Sequence, residues 1–150
     1  MSATTRPLST VAWRLGYGGL IPFVGLAVAV VLKLDLSALG IADVTGALLQ
    51  YGAVIISFIG AIHWGVAVGS DEPGNADTLF FYSVLPALIA WLLMFFPQIF
   101  ALTGMAVTVV AAFVVDRIIL FEKLHPDYRK LRIHLTCIVA LVLAVAALFS

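Results

Sequence analysis

A histidine stands inside a long apolar stretch, in the segment S-F-I-G-A-I-H-W-G at residues 57–65. The pKa of an imidazole lies near neutral pH, so His63 could exchange a proton or bind a ligand or metal. Asp116 and Arg132 are also embedded in apolar runs. Ionisable groups in lipid are costly unless they are paired or hydrated, and they usually face the interior of a helix bundle. These three residues are therefore the first candidates for a functional site.

Each candidate also has a structural interpretation. His63 could hydrogen-bond to a neighbouring helix as packing, handle protons, bind a ligand, or ligate haem or another metal. Asp116 could form a salt bridge to Arg132 or Arg14 that fixes the order of the helices, or it could belong to a proton relay. For both residues we favour the structural interpretation.

The composition requires a membrane as solvent. Of the 150 residues, 63% are hydrophobic and 11% are charged, whereas soluble domains are about 45–50% apolar and about 25% charged. A chain of this length cannot bury so much apolar surface in one soluble core. The formal net charge of zero argues against a nucleic-acid partner. The expected partners are membrane lipids, with another membrane complex or a second copy of the chain left open.

Apolar stretches separated by polar breaks predict an all-α integral membrane bundle of five transmembrane helices. A spanning helix needs about 20 apolar residues. The runs are continuous, whereas the strands of a barrel alternate. The first run is too long for the apolar part of a signal peptide and is expected to stay as a permanent helix. Residues 1–150 form one domain, with spans at about 15–32, 44–68, 79–96, 99–121 and 133–149.

Lysine and arginine are distributed unequally between the two predicted faces of the bundle. Lys33 falls on one face, and the other face carries Arg6, Arg14, Arg117, Lys123, Arg129, Lys130 and Arg132. Basic residues accumulate on the cytoplasmic side of membrane proteins, or on the matrix side in organelles. The N-terminus is therefore expected in the cytoplasm, and the C-terminus on the opposite side.

The alternating direction of the spans places polar residues at a common depth. His63 lies about 7–8 Å before the end of the second span, and Ser83 lies near the start of the third. Asp116 and Arg132 reach the same level from the fourth and fifth spans. We expect a polar layer just below the cytoplasmic face. The residues of this candidate polar pocket are Ser57, His63, Trp64, Ser83, Asp116 and Arg132.

The second span also contains a ladder of small residues. Ala61, Gly65 and Gly69 recur at every fourth position, a spacing that allows two helices to approach closely. A histidine beside this ladder is expected to face another helix rather than lipid. The candidate packing residues are Gly60, Ala61, Gly65, Gly69, Pro86 and Trp91.

Motifs for established enzyme chemistry are missing from the sequence. It has no phosphate-binding loop, dinucleotide fingerprint or zinc-protease helix, and its single cysteine, Cys137, cannot form a disulfide within the chain. Haem ligation by two histidines would require His63 and His134 to face one cavity. His134 lies two residues, about 200°, from Arg132 on a helix and points elsewhere. We predict no catalytic residue, metal ligand or cofactor.

Four segments form a recognisable set: L-G-Y-G-G-L-I-P-F from Leu15, Y-G-A-V-I-I-S-F-I-G-A-I-H-W-G from Tyr51, L-P-A-L-I-A-W from Leu85, and Y-R-K-L-R-I-H-L-T from Tyr128. In this order they resemble the family called domain of unknown function 3429, bacterial inner-membrane relatives of transmembrane protein 69. The resemblance implies a multi-pass protein of the bacterial inner (cytoplasmic) membrane and carries no known activity. The recurring positions of the family correspond to Ser57, Gly60, His63, Trp64, Gly65, Pro86, Trp91, Asp116, Arg132 and Thr136.

The sequence thus favours a non-catalytic bundle that is structural or binds a partner or lipid, with a polar layer near the cytoplasmic face. The alternative is a pocket protein centred on His63 and Asp116 that takes a small molecule, a quinone or protons. A haem protein or membrane enzyme is the third and least favoured interpretation.

Overall fold

The apolar runs form α-helices, because a helix satisfies its own backbone hydrogen bonds in lipid. The computed structural model describes residues 8–69, 73–121 and 125–150, with side chains from residue 76 onward in the second range. Within these residues the chain is all-α, and the only extended pairing is an isolated bridge between Leu36 and Ile41. The helices are α1 (Thr10–Gly18), α2 (Leu20–Val31), α3 (Val44–Val68), α4 (Pro73–Leu93), α5 (Gln98–Ile119) and α6 (Pro126–Phe149).

Five helical segments among the described residues are long and apolar enough to cross a membrane, by length and composition. The first, Thr10–Val31, consists of α1 and α2 together. The predicted all-α bundle of five such helices is therefore confirmed. The observed bounds differ most from the predicted spans in the first, third and fifth segments: α1 begins at Thr10, α4 runs from Pro73 to Leu93, and α6 begins at Pro126. The ring of Pro126 suits the first helical turn, so the polar residues after it join α6.

Helices α2 to α6 form a closed ring, and α3 and α5 also contact each other across it. α3 packs against α2, α4 and α5, and α6 closes the ring by packing against both α5 and α2. Helix α1 begins, α3 ends, α4 begins, α5 ends and α6 begins at the same face. We call this the basic face, since its described residues include Arg14, Arg117, Arg129 and Lys130.

Pro22 explains the break between α1 and α2. A proline ring has no N–H to donate to the carbonyl four residues earlier, which belongs to Gly18, and it crowds that carbonyl. The helix accordingly ends at Gly18 and restarts at Leu20. At the break, the carbonyl of Gly19 accepts a hydrogen bond of 2.9 Å from the hydroxyl of Tyr51 on α3. This bond connects the broken first span to the centre of the bundle.

At the opposite face, Asp43 joins two helix starts. Its Oδ1 accepts from the backbone N–H of Gly46 at 2.8 Å and so caps α3. Both of its carboxylate oxygens also accept from Nε2 of Gln98, at 3.2 and 3.3 Å. Gln98 is the first residue of α5, so the N-termini of α3 and α5 are held together.

Two apolar clusters divide the interior along the helix axes. The larger one fills most of the bundle and includes Ile56 of α3 and Val109 of α5. The smaller one consists of Ala67, Leu79 and Leu120 and lies nearer to the basic face. The buried polar residues other than Thr108 of α5 fall between these clusters. They are His63, Ser83 and Asp116, joined by Arg132 and Thr136 of α6.

Candidate functional site

Asp116 is the centre of a buried ionic cluster that joins three helices. Its Oδ2 accepts a hydrogen bond of 2.7 Å from Nε of Arg132 on α6. Its Oδ1 lies 3.3 Å from Nε2 of His63 on α3. The exposed fractions of His63, Asp116 and Arg132 are 0%, 2% and 5%. Together with Thr136, these residues form what we call the ionic cluster.

Thr136 orients the guanidinium group of Arg132. Nη1 of Arg132 donates to Oγ1 of Thr136 at 2.9 Å, one helical turn along α6. Nε and Nη1 are therefore bound to partners on two different helices. Tyr128 lies one turn before Arg132 on the same side of α6, where its half-buried ring interacts electrostatically with Arg132 and Asp116.

The ionic cluster has more hydrogen-bonding capacity than its contacts use. In the described part of the chain, Nδ1 and Nε2 of His63, Oδ1 of Asp116 and Nη2 of Arg132 are buried and make no hydrogen bond. The contact between Nε2 and Oδ1 has the distance of an ion pair without the alignment of a hydrogen bond. Buried polar atoms in proteins are nearly always bonded, so this contact is the incompletely formed part of the cluster.

α4 contributes a tight wall beside His63. The ring of Tyr82 meets the imidazole edge-on, with 4.5 Å between the ring centroids. Ser83 is buried, and its hydroxyl donates to the carbonyl of Phe80 at 2.6 Å. A Cβ atom at Gly60 would collide with the backbone carbonyl of Ser83 and contact Pro86. The absence of a side chain at Gly60 thus lets α3 and α4 approach closely at the level of the cluster.

Two residues of the predicted pocket lie outside the ionic cluster. Trp64 is 52% exposed and packs against Phe80, because the residue after His63 is rotated by about 100° around the helix. The hydroxyl of Ser57 donates within α3 to the carbonyl of Ala53 at 2.8 Å. The structure thus places Trp64 and Ser57 outside the ionic cluster, whereas Ser83 lies in the adjoining wall.

The small-residue ladder faces away from the interior of the described bundle. Ala61, Gly65 and Gly69 are exposed, and a Cβ atom at Gly65 would meet no atom within 4 Å. Ala61 and Gly65 each lie two residues from His63, about 200° around the helix. When His63 faces the interior, the ladder must face outward. Gly60 forms the close contact instead.

The two remaining packing candidates lie on different sides of α4. Pro86 is buried beside Gly60. Trp91 is 56% exposed and packs edge-on against Phe95, with 5.1 Å between the ring centroids. Trp91 therefore contributes to the outer surface near the end of α4, where its packing partner is Phe95.

His63 and His134 do not share a cavity. His134 is exposed on α6, and its Nδ1 lies 2.8 Å from the hydroxyl of Tyr17 on α1. Among the described residues, no three His, Cys, Asp or Glu side chains form a group that could hold a metal ion. Tyr82 and Tyr128 lie beside the ionic cluster but were not among the predicted site residues. The spacing of Tyr128, four residues before Arg132, was a usable signal, whereas nothing in the sequence around Tyr82 distinguished it from packing aromatics.

The comparisons with known proteins agree with the membrane architecture. A family model described as "Protein of unknown function (DUF3429)" matches residues 8–148. The chain belongs to this family. The family expected from the four sequence segments is therefore confirmed, and this DUF3429 chain is a multi-pass membrane protein.

One relative of the DUF3429 chain is transmembrane protein 69 of Xenopus tropicalis. The two sequences are 37% identical over 86 residues, which cover 57% of this chain and 32% of that protein. The chain thus matches about a third of the relative's length. No solved structure matches the chain.

Proposed function

We propose that this chain is a non-catalytic structural bundle in which the ionic cluster determines how α3, α5 and α6 pack. The outer faces of the bundle are then available to lipids and to a partner within the membrane. The observation that carries the proposal is the burial of His63, Asp116 and Arg132, which are at most 5% exposed. Groups so enclosed are suited to holding helices together rather than to receiving a substrate.

The energetics of buried charges support this role. An ion pair removed from water gains little net stability, but losing one partner leaves a buried charge uncompensated. Packings that separate Asp116 from Arg132 are therefore strongly disfavoured. The apolar side chains around the cluster would fit many helix arrangements, whereas the charged pair fits few. The ionic cluster thus selects one arrangement of the helices.

Two open cavities at the surface of the described bundle lie away from the ionic cluster. One of about 660 Å³ lies between α5 and α6 and is lined by apolar side chains and Thr103, with alanines such as Ala106, Ala140 and Ala144. Another of about 260 Å³ lies beside Asp43 at the opposite face. Neither cavity is lined by a residue of the cluster. This arrangement favours the structural role over a small-molecule or quinone pocket centred on His63.

We further propose that the basic face is cytoplasmic and that the chain resides in the bacterial inner membrane. The support is the distribution of basic residues, of which Lys33 alone falls on the opposite face in the predicted topology.

The structural role is tested by measuring the coupling between Asp116 and Arg132. We expect Asp116→Asn and Arg132→Gln each to lower the free energy of unfolding in detergent by about 3–5 kcal/mol, since each leaves a buried charge unpaired. The double variant Asp116→Asn with Arg132→Gln should lose less than the sum of the two single losses, because it removes both charges together.

The matched control is Arg117→Gln. Arg117 follows Asp116 directly but is exposed, so its loss should change stability by no more than about 0.5 kcal/mol. Additive losses in the double variant would contradict the structural role. Native mass spectrometry gives a second test. A stoichiometric small molecule that is retained by the wild type and lost from Asp116→Asn would instead show that the cluster is a ligand site.

A further inference from the structure

The carboxylate of Asp116 faces nitrogen groups on two sides, and only one side is a formed hydrogen bond. Arg132 holds Oδ2 at 2.7 Å. His63 approaches Oδ1 at 3.3 Å without hydrogen-bond alignment. The carbonyls of Ile59 and Gly60 also lie near the imidazole, one turn earlier on α3. Among the described residues, the groups near His63 thus include three acceptors, namely the carboxylate of Asp116 and these two carbonyls.

The charged and titratable groups of the surrounding helices determine what protonation of His63 would do to its contact with Asp116. α5 contributes the carboxylate of Asp116, α6 contributes Arg132 and the phenol of Tyr128, and α4 contributes the phenol of Tyr82. α2 contains no titratable residue. With a neutral imidazole, Arg132 and Asp116 balance each other. A protonated His63 adds one positive charge, and among the described residues Oδ1 of Asp116 is the carboxylate oxygen placed to receive it.

We propose that His63 and Asp116 form a buried proton-binding site within the bundle. The proton binds to the imidazole, whose Nε2–H then turns toward Oδ1 to form a charge-assisted hydrogen bond. The carboxylate of Asp116 on α5 then accepts hydrogen bonds from both α3 and α6, instead of from α6 alone. The inference rests on the proposed structural role, since the proton acts on the same contact that orders the helices.

Trp64 provides a built-in reporter of this event. It follows His63 on α3 and packs edge-on against Phe80 of α4, with 4.9 Å between the ring centroids. The chain has three tryptophans, so replacing Trp13 and Trp91 by Phe leaves Trp64 as the sole indole. A change in the position of His63 relative to α4 should shift the emission of Trp64.

The experiment is a titration of the full-length protein in lipid nanodiscs from about pH 5 to about pH 9. Asp35 stays ionised over this range, because hydrogen bonds from the backbone and side chain of Ser37 lower its pKa below the ordinary 3.8. We expect one step in Trp64 emission, lost in His63→Gln and in Asp116→Asn. The step should persist in His134→Gln, the matched control, since His134 is exposed and bonded to Tyr17.

A wild-type titration without a step, or a step that survives in His63→Gln, would overturn the proposal. If His63→Gln does not fold, the double variant His125→Gln with His134→Gln leaves His63 as the only one of three histidines. Its ring nitrogens can then be followed by nitrogen NMR. Conversion to imidazolium within the range supports the site, and an imidazole that stays neutral throughout overturns it.

The outcome is separable from that of the proposed function. The coupling between Asp116 and Arg132 is measured at a fixed alkaline pH, where His63 is neutral. Additive losses there, combined with a titrating His63, would refute the structural role and leave the proton site standing. Strong coupling between Asp116 and Arg132, combined with a His63 that stays neutral throughout the titration, would support the structural role and refute the proton site.

Discussion

At the scale of single residues, the two oxygens of Asp116 have different environments. Oδ2 is fully engaged by Arg132, whereas Oδ1 faces an imidazole that is close but misaligned. A buried acceptor without a hydrogen bond lowers the stability of the folded state. A hydrogen bond from a protonated imidazole to Oδ1 would remove this cost. The same carboxylate thus combines a fixed contact with an adjustable one.

Thr136 should matter more for stability than its small side chain suggests. Thr136→Val removes the acceptor of the 2.9 Å hydrogen bond from Nη1 of Arg132 and leaves a buried charged donor unbonded. We expect the free energy of unfolding in detergent to fall by about 1–3 kcal/mol.

Thr103→Val is the matched control for Thr136. The hydroxyl of Thr103 donates to the carbonyl of Ile99 in the same helix, and its residue is exposed. Its replacement should cost less than about 0.5 kcal/mol. Equal losses in the two variants would show that Thr136 does not support Arg132.

The depth of the polar residues could be predicted from the sequence, whereas their directions could not. Spans of similar length that cross in alternation fix the level of His63, Ser83 and Asp116, and the structure has all three buried. Direction depends on which face of each helix finds a partner. Trp64 and His63 are adjacent in sequence, yet the apolar indole can face lipid at no cost and the imidazole cannot. Which of these side chains faces the interior therefore depends on the packing of all the helices, and this packing cannot be read from α3 alone.

At the scale of helices, the packing of α3 against α4 depends on one position. The orientation of α3 about its own axis places Gly60, His63 and Ala67 in the interior. It places Ala61 and Gly65 on the outer surface. The spacing of the small-residue ladder is compatible with close helix packing but does not require it, and within this chain the ladder is exposed. The need to bury His63 sets the rotation of the helix.

Gly60→Ala should therefore be destabilising. The added Cβ atom would collide with the backbone carbonyl of Ser83, and a carbonyl within a helix cannot move without displacing α4. We expect a loss of about 1–3 kcal/mol in the free energy of unfolding, together with altered emission from Trp64.

Gly65→Ala in the same helix is the matched control for Gly60. Its new methyl group meets no atom within 4 Å, and alanine favours the helix over glycine by about 1 kcal/mol. This variant should keep or slightly raise stability. A destabilised Gly65→Ala would mean that the ladder is covered in the folded protein.

At the scale of the whole molecule, polar and apolar layers follow one another along the bundle. The small cluster of Ala67, Leu79 and Leu120 lies nearest the basic face, the ionic cluster lies below it, and the large apolar cluster fills the rest. The charged groups are thus near one membrane surface and separated from it by a thin apolar layer. The compartment that the basic face borders is therefore the one that could supply a proton to His63.

The orientation of the chain can be measured with reporters at its two ends. The distribution of basic residues predicts that the N-terminus is cytoplasmic, and five spans, an odd number, then carry the C-terminus across the membrane. Alkaline phosphatase fused after Ser150 should be active, since it folds only outside the cytoplasm, and green fluorescent protein at the same position should be dark. Green fluorescent protein fused before Met1 should be bright. A bright C-terminal fusion with a dark N-terminal fusion would reverse the topology, and the basic face would then lie on the periplasmic side. Bright fusions at both ends would instead contradict an odd number of spans.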